Sequence, residues 1–139
     1  MNLVKTFINR SPIQGLGLFA GEFIPKGALV WKLNPSIDVV YSKVEYVNLE
    51  LTELEKLYLN KYIYGNNGLY CLCGDDAKFT NHSDNPNTGG GDFYTCYALR
   101  DINIGDEITN DYNEICDDFD PESFEKENNP PYDPNLYKH

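Results

Sequence analysis

The chain has 139 residues, a formal net charge of −11, 41% hydrophobic and 14% aromatic residues. That length gives one compact domain able to bury a core without staples, and no run is long enough to span a bilayer. The acidic balance excludes a nucleic-acid binder that works through a basic face, and it favours basic partners such as lysine-rich protein tails.

Val4 to Ile8 is β-branched and aromatic, which predicts a first strand, and Ser11-Pro12 breaks it. Gly15 and Gly17 permit a tight turn and a close backbone approach, after which Leu18 to Phe23 resumes as extended chain. Ile24-Pro25-Lys26-Gly27 reads as a turn, Ala28 to Leu33 as another strand and Ile37 to Tyr41 as a further short extended run. Thr52-x-x-Glu55 is a capping box that opens a helix. Leu54, Leu57 and Tyr58 then fall on one face at helical spacing, with Lys61 on the exposed side. Gly65-Asn66-Asn67-Gly68 closes this region with turn chemistry.

Leu69 to Cys73 predicts a strand and Gly74-Asp75-Asp76 a turn. The polar block from Lys78 to Asn87 reads as a loop with a short helical turn, and Thr88 to Asp92 as a flexible connection. Phe93 to Leu99 alternates as a strand, Asp101 to Asp106 turns, and Glu107 to Asp111 leads into Tyr112. Many short strands with one good helix predict a mainly β, α+β fold. Gly15-x-Gly17 is not followed by a helix, which excludes a dinucleotide-binding sheet.

Residues 116–139 hold seven acidic residues and Pro121, Pro130, Pro131 and Pro134, and read as an acidic tail beyond a domain of residues 1–115. Cys71-x-Cys73 has no second close pair, so Cys71, Cys73, Cys96 and Cys116 are expected to be free thiols with no metal site. The chain starts at Met1 without an apolar signal segment, which reads as a cytoplasmic protein.

Three separated pieces carry the most information: Gly15-Leu16-Gly17-Leu18-Phe19-Ala20, Lys78-Phe79-Thr80-Asn81-His82-Ser83-Asp84-Asn85-Pro86-Asn87, and Asp106-Glu107-Ile108-Thr109-Asn110-Asp111-Tyr112. In this order they resemble the SET-domain protein lysine methyltransferases. The resemblance implies small curved β-sheets with a knot-like core, in which Asn81-His82 and Tyr112 meet in space. It implies S-adenosylmethionine as cofactor, with backbone contacts from Leu16 and Gly17, Asn81 on its amino-acid part and the His82 backbone on its adenine. Tyr112 is the implied catalytic residue. Tyr70, in Leu69-Tyr70-Cys71-Leu72, looks like a second channel tyrosine, with strand packing as its other reading. Phe119 or Phe124 in the tail would fold back over the cofactor.

Asn81 and His82 also read as a pair of loop-locking residues, and Arg100 and Glu107 as structural. The chain departs from the family pattern at Lys78, where many members have Arg and its planar fork. It also departs at Thr80, usually aliphatic, and in lacking a cysteine-rich segment after Tyr112, as short bacterial and viral members do. The implied reaction needs a neutral lysine. Neutralising a free lysine at pH 7 costs roughly 4 to 5 kcal/mol, since it titrates near about 10.4. A dry channel walled by rings lowers that cost, and alignment adds up to about 7 to 11 kcal/mol. The implied function is methyl transfer to a lysine ε-amine of a basic protein, histone-like or ribosomal, with no nucleic-acid or membrane partner. The alternative is a weak or inactive SET-fold module that binds cofactor or basic tails.

Overall fold

The computed structural model describes residues 1–66 and 68–115. In chain order the strands are β1 (Thr6–Arg10), β2 (Leu16–Ala20), β3 (Leu29–Lys32), β4 (Val39–Ser42), β5 (Tyr64–Asn66), β6 (Leu69–Leu72), β7 (Asn81–His82), β8 (Thr88–Gly89), β9 (Thr95–Ala98) and β10 (Glu107–Asn110). The helices are α1 (Lys43–Val47), α2 (Glu53–Tyr62) and α3 (Tyr112–Ile115), with a 3-10 turn at Asp76–Phe79. The expected mainly β, α+β fold is what forms.

Three small sheets result, ordered β1-β2-β10-β7, β3-β9-β8 and β4-β6-β5. The first positions the site. β1 and β2 form an antiparallel hairpin, and β10 adds antiparallel to β2 with Ile108 opposite Leu18. On its other edge β10 runs parallel to β7, with Thr109 opposite Asn81 and Asn110 opposite His82.

Leu18, Ala20, Ile24, Val30, Ala98, Ile102 and Ile108 form one core cluster. Each fully buried Leu or Ile there is worth about 1.5 to 3 kcal/mol. A smaller cluster gathers Cys71 and Cys73 around Trp31. Beside it Asp38 is buried, its carboxylate accepting from Asn34 N–H (2.9 Å), Gly74 N–H (3.0 Å) and the Met1 ammonium (2.9 Å).

α2 begins where the capping box places it: Thr52 Oγ1 accepts from Glu55 N–H, and the Glu55 carboxylate accepts from Thr52 N–H. Its apolar face is reversed from expectation. Leu54, Leu57 and Tyr58 point outward at 76%, 68% and 47% exposure, and the buried residue is Leu59. Helical spacing says which residues share a face, not which face meets the protein.

α1 is a second helix the sequence reading passed over, although Ser42 caps it through the Glu45 N–H. Thr88 to Asp92 begins as paired strand rather than loose connection: Thr88 is opposite Ala98 and fully buried. Tyr64 to Asn66 is strand too, folding back on β6.

Candidate functional site

β10 is the axis of the site, and the polar block after His82 wraps it. The Asn87 side chain imitates a strand, with Nδ2 donating to Glu107 O (2.7 Å) and Oδ1 accepting from Thr109 N–H (2.9 Å). Asn87 N–H donates to Thr109 Oγ1 (3.2 Å), and Thr88 Oγ1 donates to Thr109 O (2.7 Å). Asn87, Thr88 and Thr109 are all buried, so each of these bonds answers a group that would otherwise stand desolvated and unpaired. Arg100 holds the loop from outside, donating to Pro86 O (3.0 Å) and Asn85 O (3.3 Å).

On one face of this crossing lie Gln14, Leu16, Gly17, Asn81 and His82. Asn81 is buried, and its Nδ2 donates to Gln14 O (3.2 Å) and Leu16 O (3.1 Å). Its Oδ1 accepts from Gln14 Nε2 (3.3 Å). Both donors of this amide are therefore spent on the glycine loop, and only a carbonyl lone pair is left for a ligand. Gly17 packs against Glu107: a Cβ there would lie 2.7 Å from Oε1 and 3.0 Å from the Ser11 Cβ, so a larger residue would need the Glu107 carboxylate to shift. Glu107 Oε2 accepts from the Ser11 hydroxyl (2.9 Å), while the buried Oε1 has no hydrogen-bond partner.

His82 joins this face to Tyr112. Its Nδ1 accepts from Tyr112 N–H (3.0 Å), and its Nε2 lies 2.9 Å from Asp84 Oδ1. An accepting Nδ1 places the ring proton on Nε2, facing the Asp84 carboxylate. The His82 and Tyr112 rings stand 5.4 Å apart, and the Tyr112 hydroxyl donates to Thr80 O.

On the other face opens a cavity of about 170 Å³, whose lining includes Tyr112, Thr80, Tyr62, Tyr64, Trp31 and Phe93. Trp31 and Tyr64 meet edge to face at 6.3 Å, and Tyr64 and Phe93 lie 5.6 Å apart. Burial pushes the Tyr64 phenol up, so this ring stays neutral. Cys73 and Cys96 also line the cavity. A hydrogen bond with Cys71, together with burial, raises the Cys73 thiol, and burial raises that of Cys96. Both are poor nucleophiles for that reason.

The structure thus brings together Leu16, Gly17, Asn81, His82 and Tyr112. It does not bring Tyr70 to the cavity. That ring stacks on Tyr46 at 4.5 Å and covers Gly65, where a side chain would collide with it. Tyr62 and Tyr64, which the sequence reading missed, supply the ring wall. Their signal was Tyr-x-Tyr at the end of the capped helix. Phe119 and Phe124 lie outside the described residues.

Among the described residues no group of three or more His, Cys, Asp or Glu side chains could hold a metal ion. No helix there is long and apolar enough to cross a membrane.

A family model for the SET domain matches residues 15–113. Among solved structures, the chain is similar to a Plasmodium falciparum protein proposed to be a histone methyltransferase, at 25% identity and a TM-score of 0.52. The match covers 76% of this chain and 90% of that one. It is also similar to the Chaetomium thermophilum Polycomb Repressive Complex 2, at 22% identity and a TM-score of 0.59, over 78% of this chain and 15% of that chain. A humanized mutant of that complex bound to the inhibitor GSK126 matches at 19% identity and a TM-score of 0.60, over 81% of this chain and 15% of that chain. No curated protein matches the chain.

Proposed function

The chain belongs to the SET-domain family, and from that premise we propose that it transfers a methyl group from S-adenosylmethionine to the ε-amine of a lysine in a basic protein. One observation carries the reading: Tyr112 is fixed from one face by His82 Nδ1 and borders, on the other, a ring-walled cavity beside Thr80 O.

The residues present fit the cofactor. It bears a sulfonium and an ammonium, and the face formed by Leu16, Gly17, Asn81 and His82 holds the unpartnered carboxylate oxygen of Glu107. Asp84 and Asp111 add negative charge around His82, at 2.9 and 3.7 Å. When bound, the sulfonium supplies a methyl group already activated for transfer.

The remaining task is to present an uncharged amine. Desolvation by Trp31, Tyr62, Tyr64 and Phe93 disfavours the ammonium, so the proton leaves to water before the lysine is seated. The Tyr112 hydroxyl donates a hydrogen bond to Thr80 O at the cavity wall, which fixes the ring where the amine is to be presented. Seated beside this ring, the uncharged amine is presented past Tyr112 toward the His82 face. Alignment of this kind supplies much of the rate, and no covalent intermediate is needed. The second ring wall is assigned to Tyr62 and Tyr64 in preference to Tyr70, and covering of the cofactor by Phe119 belongs to the same proposal.

Incubation with methyl-labelled S-adenosylmethionine and core histones, read by mass, tests the reading. Incorporation on lysine is expected. Tyr112→Phe should lower turnover by about 10²- to 10³-fold, the scale for losing one preorganised polar group, while calorimetry finds cofactor affinity nearly unchanged. Cofactor binding without transfer to histones or a broad lysine peptide panel would instead identify a binding module.

A further inference from the structure

Lys78 and Thr80, the two positions at which the polar block departs from the family pattern, belong to one braced turn. Thr80 closes the 3-10 turn Asp76–Phe79: its N–H (3.1 Å) and its hydroxyl (2.8 Å) both donate to Ala77 O. An aliphatic residue would make only the first of these bonds. At the other end Asp75 caps the turn, Oδ1 accepting from Ala77 N–H (3.3 Å) and Oδ2 from Asn2 N–H (2.8 Å).

Lys78 reaches from this turn into a box of rings. Its Nζ lies 5.9 Å from the ring centres of Tyr58 and Tyr62, 5.7 Å from that of Phe79 and 3.2 Å from Tyr58 Oη. The rings also touch one another, Tyr58 and Tyr62 at 5.0 Å and Tyr62 edge to face on Phe79 at 5.8 Å. Among the described residues no carboxylate pairs with Lys78. Ring faces attract the ammonium through their quadrupole, and the attraction grows as water is excluded. The buried residue of α2 is Leu59, so packing alone gives this helix little hold on the domain. The box adds a hold, between α2 and the turn.

That hold leads to the reacting centre. Tyr62, Lys78, Thr80 and Tyr112 border the same cavity, and Thr80 O is the acceptor for the Tyr112 hydroxyl. Whatever fixes the turn fixes this carbonyl, and through it the phenol.

We propose that Lys78 is a positioning residue for methyl transfer: seated in the Tyr58, Tyr62 and Phe79 box, it holds the Thr80 carbonyl, and with it the Tyr112 hydroxyl, in place at the cavity wall. The inference rests on the methyl-transfer reading and adds to it a residue that acts through Thr80 and Tyr112. A guanidinium also lies on ring faces, as a planar fork instead of a point charge, so arginine fills the role in part. Methionine keeps much of the stem and loses both the charge and the donors.

The test compares Lys78→Met, Lys78→Arg and Tyr58→Leu with the wild type, each alone and combined with Tyr112→Phe. Transfer from methyl-labelled S-adenosylmethionine to core histones and a lysine peptide panel is measured, and calorimetric stoichiometry with the cofactor gives the folded fraction, so that rates refer to folded molecules. Lys78→Met should lower kcat by about five- to tenfold, the scale of one cation–ring contact with its hydrogen bond, and leave cofactor affinity nearly unchanged. Lys78→Arg should restore most of that loss. In the Tyr112→Phe background Lys78→Met should change kcat by less than about twofold, because the hydroxyl it acts through is gone. Tyr58→Leu opens the box from the exposed side of α2 and should show the same non-additivity, which decides the matter if a Lys78 variant fails to fold. Unchanged kcat in Lys78→Met, equal impairment in the Met and Arg variants, or full additivity with Tyr112→Phe overturns the positioning role alone. No transfer by the wild type to either substrate overturns the methyl-transfer reading beneath it.

Discussion

Around β10 the buried side chains are polar and paired; along α2 the outward side chains are apolar and bare. In the first region Asn87, Thr88 and Thr109 answer one another over distances of 2.7 to 3.2 Å. In the second, Leu54 and Leu57 touch solvent over most of their surface. The contrast separates two physical regimes within one domain. A reacting centre needs atoms held to fractions of an ångström, which directional hydrogen bonds in a dry interior provide. Apolar area left bare adds little to the stability of the fold that carries it.

The sharpest way to break that contrast is to cut one bond set in each region. Asn87→Ala leaves Thr109 N–H and Glu107 O buried without partners, and should cost about 2 to 4 kcal/mol in urea unfolding. Leu57→Ala should change stability by less than about 0.5 kcal/mol in the same measurement. Similar losses at both positions would show that α2 packs on the domain more than its exposure allows.

A finer cut falls on His82. His82→Leu removes the acceptor for Tyr112 N–H and should lower kcat by about five- to tenfold, the value of one hydrogen bond. His82→Asn offers an oxygen near the Nδ1 position and should restore most of that loss. Equal impairment in both variants would assign the effect to loop packing.

The smallest effect is a pH response at Asp38. Burial pushes its carboxyl up, but hydrogen bonds from Asn34, Gly74 and the Met1 ammonium outweigh this and hold it below the usual carboxylate range. A depressed folded value means the contribution is complete above the unfolded value near about 3.9 and disappears as pH falls through the folded one. Urea midpoints between pH 5 and 2.5 should fall more steeply for the wild type than for Asp38→Asn.

Much of the site was written in short motifs, because its contacts are made by side chains of fixed type at fixed spacing. Asn81-His82 and Tyr112 meet as the resemblance implied, and the capping box at Thr52 starts α2 at the expected residue. Orientation was not legible. Period 3.6 grouped Leu54, Leu57 and Tyr58 without saying that they face water. The strand reading of Leu69 to Cys73 did not say that Tyr70 faces Tyr46, nor that Tyr62 and Tyr64 line the cavity. Which side of an element is inside depends on partners far along the chain, and local pattern carries no record of them. The strand pairing of Thr88 was hidden for the same reason: its partner Ala98 and its acceptor Thr109 O lie on later strands, and the glycines after it suggested slack.

The place of β10 also sets a timetable. It slots between β2 and β7, so joining Ile108 to Leu18 closes a loop of about ninety residues and joining Thr109 to Asn81 one of about thirty. The longer closure costs only on the order of 1 kcal/mol more than the shorter. Both must nevertheless precede any seat for Tyr112, and nonlocal closures of this kind are slow steps. A chain still emerging from the ribosome would have its hairpin and capped helix long before it could bring the phenol to the imidazole, so competence arrives last and all at once.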